Sequence, residues 1–132
     1  MIDIPEERIL KEITDILMND LPKVLLELEE QSEDSIRLPP FRYVGLEENL
    51  PPGTGLPYAF VEIEDKSCSL KDRIIRNWES KVRVKLMLEN MRYYFIYSHC
   101  VNVILNEGFD SWRVKDYHRS MKSQSVVFSL II

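Results

Sequence analysis

Two cysteines, two histidines and four glycines are all that 132 residues contain, and each scarcity closes off some chemistry. A metal centre needs several Cys, His or carboxylate ligands converging at usable spacing. Cys68 and Cys100 are distant, and His99 and His118 complete no ligand pattern, so neither a metal nor a cofactor is expected. His99-Cys100 is the one adjacent pair of base and nucleophile types. On a helix, consecutive side chains diverge by about 100°, so the two do not face each other. Cys100 as a small buried apolar residue, with His99 at a helix side, explains the pair better than catalysis does. Gly53-Thr54-Gly55 is followed by no Lys-Ser/Thr pair and opens no helix, which makes it a turn and not a phosphate loop. No apolar run approaches the roughly 18 residues of a membrane span. Residues 1–8, MIDIPEER, carry neither a basic region nor an apolar one of the kind that opens a secretory leader, so reduced cysteines are expected.

Charge is present in quantity and unevenly placed. The formal net charge is −5, but residues 1–34 hold eleven acidic side chains against three basic ones. Residues 111–132 reverse the balance, with Arg113, Lys115, Arg119 and Lys122 against Asp116 alone. Two solvated faces are the ordinary explanation. Head-to-tail contact between copies is the sharper one, because complementary patches steer and register association. Hydrophobic residues at 45% and charged residues at 30% are ordinary globular values, and the length fits one domain over residues 1–132.

The clearest periodicity lies in KVRVKLMLE, residues 81–89, where Val82, Val84, Leu86 and Leu88 alternate with Arg83, Lys85, Met87 and Glu89. Period two with one apolar face predicts a strand of an antiparallel sheet whose dry face is covered by helices. Residues 58–65, YAFVEIED, predict a second strand with Ala59, Val61 and Ile63 inside. Glu62 and Glu64 then fall on its wet face. Between them, residues 66–77 lack a clean period and are expected to form a long hairpin connection, with strand resuming near Ile75. Residues 110–117 and 125–132 predict two closing strands joined through the polar HRSMKSQ.

Helices are expected on both sides of the first strand pair. Ile9, Leu10, Ile13, Ile16 and Leu17 recur at three- and four-residue steps over residues 5–18, with Asp3 placed to cap. Asp20-Leu21-Pro22 predicts a kink or restart near Leu21, with Asp20 as a new cap and a helix to about Glu30. Asn90 is placed to cap a third helix over residues 91–106, buried along Tyr94, Tyr97, Val101, Ile104 and Leu105, with Gly108 ending it. Residues 36–57 hold five of the seven prolines and three of the four glycines. That predicts turns and loop, with room for a short strand around Phe41 to Val44. The expected fold is α+β: a mostly antiparallel sheet, helices packed mainly on one face, order α-α-β-β-α-β-β.

Two stretches interleave bases with aromatics. Lys71, Arg73 and Arg76 precede Trp78, and Arg113, Lys115, His118 and Arg119 surround Trp112 and Tyr117. Phosphate neutralisation with base stacking is one use for that mixture, and a small nucleic-acid-binding module remains the alternative function. An acidic whole chain argues against a dedicated binder. Subunit contact uses the same residue types, so Lys71, Arg73, Arg76, Trp78, Trp112, Arg113, Lys115 and Arg119 are the candidate interface.

Taken in order, DIPEERILKEITDILMNDLPKVLLELEE, LPPFRYVG, LPYAFVEIED, KVRVKLMLE and SVVFSLII resemble tailed-phage and prophage proteins of the head-to-tail junction, of the tail-terminator or tail-completion type. The resemblance covers residues 4–132 and rests on element order and short words, not on a catalytic signature. The residues around Cys68, Lys71 and Arg73, and the run Tyr93-Tyr94-Phe95-Ile96-Tyr97, match no part of the pattern. The resemblance implies a non-enzymatic virion protein, present in the host cytoplasm during assembly. Copies would form a ring, commonly sixfold, against tail-tube or connector proteins.

Overall fold

The computed structural model describes residues 5–71, 74–108 and 112–131, with side chains over 6–64, 79–107 and 112–131. Asp3 and Arg73 lie outside the described residues, as do the side chains of Cys68, Lys71, Arg76 and Trp78. The fold is α+β, with a five-stranded sheet in the order β1-β2-β3-β5-β4.

α1 (Pro5–Asp15) and α2 (Leu21–Gln31) are joined through a π-helical turn, Ile16–Asp20, without leaving helical backbone. Pro22 has no N–H to give to the Met18 carbonyl four residues back, and the ladder widens just ahead of it. There the Leu21 N–H bonds the Ile16 carbonyl, five residues earlier. The expected break near Leu21 is therefore a widened turn. Asp20 stays helical and makes no side-chain capping bond, contrary to the restart expected of it. Ile9, Ile13, Leu17, Leu21 and Leu25 are fully buried along the inner side.

After α2 the chain runs extended through the proline-rich segment. β1 (Val44–Gly45) is two residues long and pairs parallel with β2. Gly45 leaves room for Tyr43: a Cβ there would lie 2.8 Å from the hydroxyl oxygen that donates to the Leu46 carbonyl, so a larger residue would have to displace that side chain. A short 3-10 turn, Glu47–Asn49, leads to the Pro51–Gly55 excursion, where the Thr54 hydroxyl donates to the Pro51 carbonyl at 2.7 Å.

β2 (Tyr58–Lys71) and β3 (Ile74–Met87) are fourteen residues each and pair antiparallel along their length. Of the connection expected over residues 66–77, residues 66–71 and 74–77 are themselves strand, with register shifts after Ile63 and Ser69. β5 covers β3 only from Glu79 to Lys85, so the far part of the pair continues beyond that ladder as a two-stranded ribbon. α3 (Met91–Gly108) follows, its start capped by Asn90 Oδ1, which accepts from the Tyr93 N–H at 3.2 Å. β4 (Arg113–Ser120) and β5 (Ser125–Ile131) close the sheet through a turn at Met121–Gln124, shorter than the polar connection expected.

One core lies between the helices and one face of the sheet. Ala59, Val61, Val82, Val84, Leu86, Val126, Phe128 and Leu130 supply the sheet side, and Tyr94, Tyr97, Val101, Ile104 and Leu105 come from α3. Two buried tyrosines tie the layers together. Tyr94 donates to the Ser125 carbonyl at 2.8 Å, and Tyr97 donates to the Pro39 carbonyl. Burial raises both phenols above the usual tyrosine range.

Candidate assembly surfaces

The sheet order puts β4 at one edge and, at the other, the two-residue β1, which pairs only with Ala59 and Phe60 of β2. β4 reaches this place because its partner β5 lies between it and β3. Arg113, Lys115, Asp116, His118 and Arg119 are all exposed on it, and the register shifts between Val114 and Asp116. Charge and a bulge are the usual means of discouraging indiscriminate pairing at such an edge. Lys115 Nζ lies 3.2 Å from Glu79 Oε1, and Arg119 donates to the Ser98 hydroxyl at 3.2 Å.

Trp112 behaves differently from its basic neighbours. It is 4% exposed and belongs to the core, so its ring anchors the start of β4 and presents no surface. The two basic-aromatic stretches lie on different strands with β5 between them, Lys71 and Arg76 on the ribbon strands and Arg113 to Arg119 on the edge strand. On the other side of the molecule α1, rich in acids, packs over β1 and β2. Glu47 and Glu48 are exposed close to β1. The acids of α1, with Glu47 and Glu48, thus lie toward the β1 side and the bases of β4 at the opposite edge, while the acids of α2 lie beside α3.

The sheet face away from the helices is polar outside and sealed beneath. Phe60 and Val127 are buried there although they alternate with core residues, and neither was expected inside. Phe60 is enclosed by aromatic neighbours, with ring centroids 5.4 Å from Tyr58 and 6.5 Å from Tyr43. Arg83 pairs with Glu64 and donates to Ser123 at 3.1 Å and to Ser125 at 3.2 Å. Glu62 and Glu64 are exposed, as a wet face requires.

His99 is exposed and Cys100 buried, on diverging sides of α3. Burial pushes the Cys100 thiol up to about 11, which keeps it protonated at neutral pH. A cleft of about 160 Å³ lies at one end of α3 between Pro39, Leu56, Pro57, Leu88, Tyr93 and Tyr97. Among the described residues no three His, Cys, Asp or Glu side chains gather as a metal site. No helix among them is long and apolar enough to cross a membrane. No protein-family model matches this sequence, and no curated protein matches it.

Proposed function

We propose that the protein is a non-enzymatic structural component of a phage or prophage virion, of the tail-terminator or tail-completion type. In that role copies assemble as a ring at the tail end or head-tail junction. The reading rests on the resemblance in element order and short words across residues 4–132. The observation that carries it further is the lateral charge arrangement. A closed ring needs a heterologous interface, in which two different patches of each copy meet around the rotation. A basic β4 edge and an acidic α1 side at opposite ends of one sheet are such a pair. The ribbon beyond Glu79 gives each copy a projecting element with which to reach a neighbour or a tube.

The test is assembly on purified tail tubes, followed by electron microscopy. Wild-type protein is expected to form rings on tube ends. Arg113→Glu with Lys115→Glu is expected to abolish them while leaving the circular dichroism spectrum unchanged. Rings formed normally by that variant would overturn the placement of the interface. Flanking genes for portal, capsid, tube and tape-measure proteins are also expected, and a metabolic neighbourhood would count against the whole reading.

A further inference from the structure

Six of the seven large apolar side chains exposed among the described residues lie on the helix layer or the turn beside it: Met18, Leu26, Met91, Phe95, Val103 and Met121. The opposite sheet face, by contrast, seals Phe60 and Val127 away from water. On α3 the exposed residues form a ridge. Met91, Phe95, His99 and Val103 follow one another at four-residue steps, Phe95 at 46% exposure. Rows of that spacing are what interdigitates when two helices pack, crossing at about −50°.

The ridge is flanked by hollows of opposite charge. On one side the groove between α3 and α2 is lined by Val24, Leu28 and Val103 with Glu27. On the other, Phe95 and Met121 surround Arg119 at the β4 strand. His99 lines both. A twofold axis in the interface plane, inclined by about 25° to α3, gives that crossing and exchanges the two sides, so each acidic groove meets a basic hollow of the second copy.

We infer that this helix face is a self-association surface, on which two copies pair isologously through their α3 ridges. Glu27 of one copy then faces Arg119 of the other, and Phe95 enters the apolar part of the interface. A second copy is the occupant because the surface carries both members of each charge pair. An isologous contact requires that self-complementarity. The contact shares Arg119 with the β4 edge proposed for the ring but none of its other bases, and it does not depend on that reading.

The test is sedimentation velocity of the purified chain over a wide range of concentration, without tail tubes. Wild-type protein is expected to show a reversible dimer. Phe95→Asp and, independently, Val103→Lys are expected to weaken it by about tenfold or more, since both replace exposed apolar contacts at the interface centre. Circular dichroism checks that each variant stays folded. Glu27→Arg and Arg119→Glu should each weaken the dimer, and the double variant should restore it. Arg113→Glu with Lys115→Glu should leave it intact. A chain monomeric at every concentration, or a dimer indifferent to Phe95→Asp or to the charge exchange, overturns the inference.

Discussion

Cys100 and the buried tyrosines make stability sensitive to alkali. The Cys100 thiol titrates near its ordinary value of 9.0 when unfolded and near 11 when folded, because burial penalises the thiolate. The unfolded chain therefore loses its proton first. The stabilisation is complete below 9.0 and declines as pH rises toward about 11, with Tyr94 and Tyr97 adding to the decline above their ordinary 10.0. Melting temperature should fall across that window, and Cys100→Ala should flatten the first part of the fall. Trp112 offers a second check at this scale. As a core side chain it should cost about 3–5 kcal/mol on replacement by Ala, read from urea unfolding, with no tail tube or partner present. A surface residue would cost far less.

At the scale of elements, the two capping residues read from sequence have different fates. Asn90 accepts the Tyr93 N–H, so Asn90→Ala should destabilise by about 1 kcal/mol. Asp20 makes no capping bond within a helix that continues past it, and Asp20→Ala should change stability by less than about 0.5 kcal/mol. Both are measurable by urea unfolding. Proline at residue 22 marked the place of the disturbance, because the missing donor is a local property. How the backbone accommodated it was not local. Ile16 and Leu17 in the π turn are buried with the rest of the helix, and that packing favours continuity over a break.

For the whole molecule, the consequence is an object with charged edges, a polar sheet face and an apolar helix face. Contact between its edges joins exposed charges, which salt screens over about 8–10 Å at ordinary ionic strength. Ring formation should therefore weaken as salt is raised. The helix-face dimer, held mainly by apolar contact, should respond less. Sedimentation and electron microscopy over a salt series would separate the two.

The sequence by itself determined the α+β class, the inner residues of β3 and α3, and the charge difference between the ends of the chain. Alternation in residues 81–89 and the stripe from Tyr94 to Leu105 are local periodicities, and they translate directly into faces. Only tertiary structure decided the rest. Phe60 and Val127 occupy wet-face positions of their strands, and their burial depends on what neighbouring strands bring over them. Trp112 sits among bases in sequence, yet the core takes its ring because β4 begins where α3 and β5 leave apolar space. Residues 66–71 and 74–77 have no strand periodicity, and pairing with each other as a ribbon imposes strand on them. The opposition of acidic and basic edges required the order β1-β2-β3-β5-β4, which depends on contacts between segments distant in the chain.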